Sequence, residues 1–410
     1  MPATTANASR KMKKTAIGDV PGDWEIRRLE EIVVLNPRPE QRLVGDVLVS
    51  FVPMASVTGH GEFIDVAVVP FKKVANGFTY FADGDVLVAK ITPCFENGKG
   101  ALARGMAGGI GFGSTEFHVI RPSDEINREF LFYHTASHRF RVRGVSSMTG
   151  SAGQKRLPAE YISAYHIALP PIREQQRIAA VLGAWDRALA GLEKLLAAKQ
   201  QRKQALMQQL LTGQKRLKGY RGAWTSTRLR EVASESQLRN NGALSRELLL
   251  AVTKKDGMIP MRENVRGVSD ERCKIVRTGW FAYNPMRLNI GSIARWEARH
   301  DAMVSGDYVV FQCDESKLSS AFLHHYRRTH RWERFVETAG NGSVRVRIWF
   351  ADLAAMKLKL PAIDEQRRIA AVLDDCNREL ALLERKLVAL REQKKGLMQQ
   401  LLTGKVRVKG

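Results

Sequence analysis

The octapeptide LMQQLLTG occurs twice in this chain of 410 residues, at 206–213 and again at 397–404. Extending the match in both directions aligns residues 169–219 with residues 360–410 without a gap, and about 30 of these 51 positions are identical. The two copies lie 191 residues apart, which is far too long a period for a solenoid. The sequence therefore predicts a duplicated unit, each copy of which ends in the same segment.

Each copy is predicted to form one long helix that begins after proline and ends at glycine. The prolines are Pro170, Pro171 and Pro361, and Gly213 and Gly404 stand where a left-handed residue closes a helix. Apolar residues recur in alternating steps of four and three, which is the spacing of a coiled-coil seam. The predicted seam comprises Ile178, Leu182, Trp185, Leu189, Leu192, Leu196, Leu206 and Leu210 in the first helix and Ile369, Leu373, Cys376, Leu380, Leu383, Leu387, Leu390, Leu397 and Leu401 in the second.

Two helices of about 40 residues with matching seams are expected to pair with each other and to form a rod about 60 Å long. Pairing between two chains is one alternative, and an ordinary amphipathic helix packed on a core is another. Lys199, Lys203 and Lys394 interrupt the seam, and polar seam residues often set the register of a coiled coil.

Charged residues at the ends of both helices match the helix dipole. Glu174 and Glu365 stand in the first turns, where the positive end of the dipole favours acidic side chains. The basic segments 214–219 and 405–410 follow the last turns and are expected to interact with the negative ends.

A globular segment precedes each helix, at residues 18–168 and 220–359, and the two segments share sparse landmarks. GDWEIRRLEEIV and GAWTSTRLREVA, near the start of each, carry a Trp, an Arg-Leu pair and a Glu at matching places. Further along, both are predicted to form a short apolar strand with a polar loop, and then a strand, a turn and an aromatic-rich helix. The globules are expected to share a skeleton but to differ in their loops, with Trp24 and Trp224 packed inside.

The formal net charge of +23 and the pI of about 10.1 indicate a polyanionic partner, either nucleic acid or an anionic membrane surface. No apolar run is long enough to span a bilayer, and residues 1–17 lack the apolar core of a secretory signal, so a disordered polar tail is expected there. The four cysteines show no CxxC spacing, so neither a metal site nor a disulfide framework is predicted. A cytoplasmic protein is expected.

This arrangement resembles the specificity subunit of type I restriction-modification enzymes. The resemblance rests on LPPIREQQRIAAVL and LPAIDEQRRIAAVL, each leading into a helix that ends in LMQQLLTG, with a Trp-led globule ahead of each. It covers essentially the whole chain after the tail. It implies an α+β fold with two mixed α/β target-recognition domains, 18–168 and 220–359, separated by an antiparallel coiled coil of residues 169–219 and 360–410 with pseudo-twofold symmetry.

The resemblance also implies a function. Each globule would read one half of a bipartite, asymmetric sequence in double-stranded DNA, and the chain itself would catalyse nothing. It would bind two modification subunits, which are adenine methyltransferases, and two restriction subunits, which hydrolyse ATP, translocate DNA and cleave it. No cofactor would bind this chain, because S-adenosylmethionine, ATP and magnesium would bind the partner subunits.

Side chains that read DNA are expected on glycine-supported loops, where Arg pairs with guanine and Asn or Gln with adenine. The candidates lie in AKITPCFENGKG and GSAGQKRL of the first globule and in PMRLNIGS and GNGSVRVR of the second. They are Lys90, Thr92, Asn97, Lys99, Gln154, Lys155, Arg156, Arg287, Asn289, Asn341, Ser343, Arg345 and Arg347. Solvated loop residues are the alternative for each, and at least half of such contacts would reach phosphates rather than bases.

Catalytic motifs are not recognisable in the sequence. GGIGFGSTEF lacks the strand–loop–helix context of a cofactor loop, and GSAGQKR lacks the spacing of a phosphate loop. No ligand cluster accompanies the histidines of the aromatic-rich helices, so solvated or DNA-facing positions are expected for His134, His138, His324, His325 and His330. Two other functions remain: a coiled-coil scaffold with two basic binding modules that reads no sequence, and a single-chain modification enzyme, which the missing motifs disfavour.

Overall fold

A computed structural model of the chain describes residues 12–39, 43, 45–151, 153–261, 270–339 and 347–408. The chain divides into two compact units, residues 1–192 with 386–410 and residues 193–385. Each predicted globule lies within one unit, whereas each long helix contributes residues to both. Among the described residues, no helix is long and apolar enough to cross a membrane.

The first globule contains strands β1 to β12 and helices α1 to α3. The strands are β1 (Met12–Thr15), β2 (Gly18–Pro21), β3 (Glu25–Arg28), β4 (Val33–Leu35), β5 (Leu48–Val52), β6 (Ala67–Pro70), β7 (Thr79–Ala82), β8 (Val86–Ala89), β9 (Gly100–Leu102), β10 (Ile110–Gly113), β11 (Phe117–Pro122) and β12 (His166–Leu169). The helices are α1 (Arg128–Ala136), α2 (His138–Ser147) and α3 (Ala159–Ser163), and the first long helix follows as α4 (Ile172–Thr212).

The second globule contains strands β13 to β22 and helices α5 to α7. The strands are β13 (Thr225–Arg228), β14 (Ala233–Glu235), β15 (Leu249–Thr253), β16 (Gly257–Pro260), β17 (Lys274–Val276), β18 (Phe281–Tyr283), β19 (Ile293–Arg295), β20 (Ala302–Val304), β21 (Val309–Cys313) and β22 (Lys357–Leu360). The helices are α5 (Ser320–Tyr326), α6 (His330–Thr338) and α7 (Phe350–Ala354), and the second long helix follows as α8 (Ile363–Leu402).

The described parts of the two globules share one strand topology. The first has four-stranded sheets in the orders β4-β11-β8-β9 and β6-β5-β10-β7, and the second has β14-β21-β18-β19 and β16-β15-β20-β17. In each globule a two-stranded ribbon joins the start of the globule to the strand before the long helix. The ribbon consists of β3 and β12 in the first globule and of β13 and β22 in the second. The predicted shared skeleton is confirmed.

A central strand in each globule is buried on both faces, which explains its unbroken apolar sequence. In β8, Val86 and Val88 lie in one core, while Leu87 and Ala89 lie in another on the opposite face. This division follows the alternation of side chains along a strand. The sheet that contains β8 therefore separates two cores.

Residues 12–17 are part of an ordered hairpin, so the prediction of a disordered tail through residue 17 is wrong for them. Met12–Thr15 pairs with Gly18–Pro21 as an antiparallel hairpin, and Val20 is buried. Arg139 Nη1 also donates to the Ile17 carbonyl at 2.9 Å. Residues 1–11 lie outside the described residues.

The long helices begin and end where the sequence predicts. Each starts shortly after its proline, and each is followed by a glycine in the left-handed region, with φ of 76° at Gly213 and 69° at Gly404. In the first unit Glu174 pairs with Arg407, and Asp186 pairs with Lys394. The residue numbers thus increase along the first helix while those of the partners decrease. In the second unit the corresponding pairs are Glu365–Arg216 and Glu379–Lys199. The helices therefore pack antiparallel within each unit, as predicted.

Candidate nucleic-acid interface

The two candidate loops of the first globule, 90–99 and 149–157, lie side by side. The N–H of Thr92 donates to the Lys155 carbonyl at 3.0 Å, and the N–H of Leu157 donates to the Lys90 carbonyl at 2.8 Å. The structure thus brings together two segments that stand about 60 residues apart in the sequence. Together they form one surface at the end of β8.

Several candidates in these loops have partners within the protein. Lys99 Nζ donates to the Met54 carbonyl at 2.9 Å, and Thr92 Oγ1 donates to Glu96 at 2.7 Å. Arg156 hydrogen-bonds both carboxylate oxygens of Glu116 and lowers the pKa of that carboxyl group. Lys90 is half-buried, whereas the remaining candidates of the first globule are exposed: Asn97, Gln154 and Lys155.

Arg141 is not among the predicted site residues, but it binds loop 90–99 from the protein interior. It is 9% exposed, and its guanidinium donates to the carbonyls of Thr135 at 2.8 Å and Phe95 at 3.2 Å. The guanidinium also lies 4.8 Å from the centroid of the Phe95 ring. Burial lowers its pKa to about 10, so it remains charged at neutral pH. Its position in an exposed-looking sequence, HRFRVRG, gave no signal of this role.

The corresponding loop of the second globule, residues 284–292, meets the segment that contains Arg347. The N–H of Ile348 donates to the Pro285 carbonyl at 3.0 Å. The candidates on this surface are exposed: Arg287, Asn289 and Arg347. The other predicted contacts of this globule lie outside the described residues: Asn341, Ser343 and Arg345.

Loop 284–292 is a compact double turn rather than an open loop. The N–H of Met286 donates to the side chain of Asn284 at 3.0 Å, and the N–H of Arg287 donates to the Asn284 carbonyl at 2.9 Å. Ser292 N–H closes the loop on the Arg287 carbonyl at 3.0 Å, and Leu288 anchors it in the core at 2% exposure. The side chains between these anchors are therefore presented on a fixed backbone.

A second feature recurs in both units, where the end of one long helix meets the beginning of the other. In the first unit Arg407 hydrogen-bonds both carboxylate oxygens of Glu174 and also reaches Asp23. The Arg407 guanidinium lies 5.4 Å from the Trp24 ring, and Trp24 Nε1 donates to Glu174 at 3.3 Å. The two carboxylates raise the pKa of Arg407.

The second unit repeats this cluster with the other copy of each segment. Arg216 donates to both oxygens of Glu365 at 2.6 and 2.5 Å and to the Gly222 carbonyl at 2.7 Å. Its guanidinium lies 5.9 Å from the Trp224 ring. The interpretation of the basic segments as partners of their own helix dipoles is therefore incomplete, because in each unit the arginine binds the first turn of the other helix.

The predicted seam residues are all buried or half-buried, whereas the positions between them are largely exposed. The lysines that interrupt the seam have acidic neighbours: Lys394 pairs with Asp186, and Lys199 pairs with Glu379 at 2.5 Å. Burial lowers the pKa of Lys203.

The expectation of solvated histidines is wrong for His134 and for the His324–His325 pair. His134 is buried, and burial lowers its pKa to about 3. His325 is fully buried with Nε2 2.8 Å from Asp374, while burial lowers the pKa of His324 to about 2. The physical reason is that α1 and α5 pack against the long helices. The two remaining histidines are exposed: His138 and His330.

Metal ligands do not converge in the described residues, where no group of three or more His, Cys, Asp or Glu side chains is placed to hold an ion. The concentrated polar features are instead exposed loops at one sheet end in each globule and two arginine–glutamate clusters between helices. This combination defines a protein with two globules of one strand topology, each associated with segments of both long helices.

Comparison with known proteins finds a family match over part of the chain. Residues 21–200 match the family model described as the type I restriction modification DNA specificity domain. The chain is 42% identical over 162 residues to the EcoEI specificity subunit and 44% identical over 167 residues to the EcoAI specificity subunit, both type I restriction enzyme subunits of Escherichia coli. These alignments cover 39% of this chain. Residues 21–200 therefore resemble the type I restriction-modification DNA specificity domain, and the alignments span 27% of the length of each of these relatives.

The fold is similar to that of a solved structure along nearly the whole chain. The HsdS subunit from Thermoanaerobacter tengcongensis superposes with a TM-score of 0.54 at 20% identity, covering 96% of this chain and 100% of that one. The architecture of two sheet-rich domains and paired long helices is therefore shared with that structure.

Proposed function

We propose that this chain is the DNA-specificity subunit of a type I restriction-modification complex. In this proposal each globule reads one half of a bipartite, asymmetric DNA target, and the chain itself is not catalytic. The proposal rests chiefly on one observation: two globules with the same strand topology carry different side chains on the same pair of loops. Modules of this kind are suited to reading two unlike sequences by one mode of docking.

The charge of the chain and the positions of the loops support DNA as the partner. The net charge of +23 would supply sequence-independent affinity through the release of counterions from phosphates. Arg287, Asn289 and Arg347 are exposed on loops of defined conformation, and side chains of these types read base edges in the major groove. We propose that Asn97, Gln154 and Lys155 play this part in the first globule.

The near-identity of the two helical segments supports a role for them in subunit binding. About 30 of 51 positions are the same, and each unit contains the same Arg–Glu–Trp cluster, so two copies of one partner would meet equivalent surfaces. We propose two modification subunits and two restriction subunits as partners, with S-adenosylmethionine, ATP and magnesium bound by them rather than by this chain. The proposed complex is cytoplasmic and has no membrane partner.

The test is methylome sequencing of a host strain with the gene, without it, and with the gene restored. The expected result is the loss and recovery of a single gapped, asymmetric N6-methyladenine motif. Complementation with Arg287→Ala/Asn289→Ala should relax or abolish one half of the motif, and Asn97→Ala/Lys155→Ala should affect the other half. Lys359→Ala, which removes an exposed basic side chain on β22, serves as the control and should leave the motif intact.

An unchanged methylome, in a strain whose methyltransferase subunits are active, would contradict the proposal. It would favour the alternative of a coiled-coil scaffold with two basic modules that read no sequence. If each double variant instead lowers methylation without changing the specificity of either half of the motif, these side chains contact phosphates rather than bases.

A further inference from the structure

Loop 284–292 of the second globule exposes large apolar side chains between its polar ones. Met286 is 45% exposed and Ile290 is 56% exposed, and they flank the candidates Arg287 and Asn289 in the sequence. The backbone of this loop is fixed by its internal turns and by buried Leu288, so these side chains cannot turn into the core without breaking the loop.

A third exposed apolar side chain lies on the neighbouring segment. Trp349 is 49% exposed and directly follows Ile348, whose N–H is bonded to the Pro285 carbonyl at 3.0 Å. Arg347 precedes it and is exposed as well. The surface at this end of the sheet therefore combines an indole, a thioether and a branched aliphatic group with two arginines and an asparagine.

The equivalent surface of the first globule is different. Its loop 90–99 turns the aromatic ring of Phe95 into the core, and it exposes Glu96 and Asn97. Neither this loop nor the described part of 149–157 carries an exposed large apolar side chain. The apolar surface is thus a property of the second globule and not of the shared skeleton.

Exposed apolar groups on a rigid loop are unfavourably hydrated until a ligand covers them. The surrounding arginines favour an anionic ligand, and DNA offers an apolar group at a base edge, the C5-methyl of thymine in the major groove. We propose that Met286, Ile290 and Trp349 contact thymine methyl groups in the half-site read by the second globule. This inference rests on the proposed function. It assigns apolar contacts with DNA to the second globule, whereas the corresponding loops of the first globule offer polar side chains.

The test uses the complex of this chain with its modification subunits and duplexes that carry the motif found by methylome sequencing. Each thymine of both half-sites is replaced in turn by deoxyuridine, which lacks only the C5-methyl group. The expected result is a loss of about fourfold in kcat/KM for methylation at one or more thymines of a single half-site, since burial of one methyl group changes affinity by about that factor.

The variant Met286→Gln/Ile290→Thr should remove this sensitivity while leaving the response of the other half-site unchanged. Val68→Thr is the matched control, because Val68 on β6 of the first globule is also 56% exposed. Wild-type complex that methylates every deoxyuridine duplex as well as the thymine duplex would overturn the inference, as would full sensitivity in the double variant. Both outcomes leave the proposed function intact, whereas the absence of any motif that depends on this chain would refute that function itself.

Discussion

Arg407 donates to both carboxylate oxygens of Glu174, a residue 233 positions earlier in the chain, at 2.5 Å. Glu174 is 8% exposed, so its charge is largely removed from water and depends on this partner. The same relationship joins Arg216 to Glu365 in the second unit. In each unit an arginine that follows one long helix thus neutralises a buried glutamate in the first turn of the other.

Arg407→Met should lower the free energy of unfolding by about 3 kcal/mol, because removing one member of a buried pair leaves the other charge uncompensated. The measurement is urea unfolding, together with Glu174→Gln and the double variant. The double variant should be much less destabilised than the sum of the two single variants, since it leaves no buried charge.

Arg378→Met provides the control. It removes an exposed pair with Asp375 and should change stability by less than about 1 kcal/mol. Equal losses of unfolding free energy in Arg407→Met and Arg378→Met would contradict the conclusion that Arg407 compensates a buried charge.

The glycines that end the two copies of LMQQLLTG should differ in their tolerance of alanine. Both have positive φ, so alanine at either position is strained by about 1–2 kcal/mol. A Cβ at Gly404 would also lie 2.4 Å from Cδ of Pro21, whereas at Gly213 the nearest atom, in the Trp224 ring, is 3.2 Å away. Gly404→Ala should therefore destabilise the protein more than Gly213→Ala, as measured by thermal unfolding.

Gly396→Ala provides the control for this comparison. Gly396 lies inside α8 with open space around its Cα, so alanine there should stabilise the protein by about 0.5–1 kcal/mol. A larger loss at Gly213 than at Gly404 would show that the contact with Pro21 is not limiting.

Stability should fall as the pH falls below about 6.5, in part because of His134. Its pKa is lowered to about 3 in the folded protein, whereas an unfolded histidine titrates near 6.5. Above pH 6.5 the imidazole is neutral in both states and adds no pH dependence. Between about 6.5 and 3 the unfolded state binds a proton that the folded state does not, so the free energy of unfolding decreases.

His134→Tyr, which introduces the residue found at the equivalent position of α5, Tyr326, should reduce this slope by up to about 1.4 kcal/mol per pH unit. The measurement is denaturant unfolding at several pH values from 7 to 4. The control is His330→Gln, because the His330 side chain is 72% exposed in the folded protein. An unaltered slope in His134→Tyr would mean that His134 is not protected from protonation.

Arg141→Met should loosen loop 90–99 without unfolding the globule. The substitution removes the Arg141 hydrogen bonds to the carbonyls of Thr135 and Phe95, and a buried carbonyl left without a donor costs about 1–3 kcal/mol. Hydrogen exchange at the amides of Gly98 and Lys99, which close the loop on Phe95 and Cys94, should accelerate. Arg143→Met, two residues further along the same helix and exposed, should leave that exchange unchanged. If both variants behave alike, Arg141 does not position the loop.

Local signals in the sequence predicted the helices and their ends correctly. Pro361, Gly404 and the steps of four and three each act within a few residues, so a pattern in the chain reports them directly. The shared strand skeleton was also predictable, because both copies carry the same apolar and turn positions.

Contacts between distant segments were not predictable. The sequence around Glu174 is compatible both with an interaction with the helix dipole and with an ion pair. Its partner Arg407 is next to it only in the folded chain. His134 and His325 lie in short aromatic-rich helices, and their burial depends on how those helices pack against α4 and α8. The role of Arg141 was unpredictable for the same reason, since one of the two carbonyls that it binds, that of Phe95, belongs to a distant part of the chain.

The core of the first unit includes Leu401 and Leu402 together with Trp24, and Gly404 lies against Pro21. The first globule is therefore completed only by residues 401–404, which are synthesised after the whole of the second globule. The second unit draws all of its parts from residues 193–385, so it can close while the first still presents an open apolar face. During synthesis, the apolar face of the first unit therefore stays uncovered until the C-terminal part of α8 has been made.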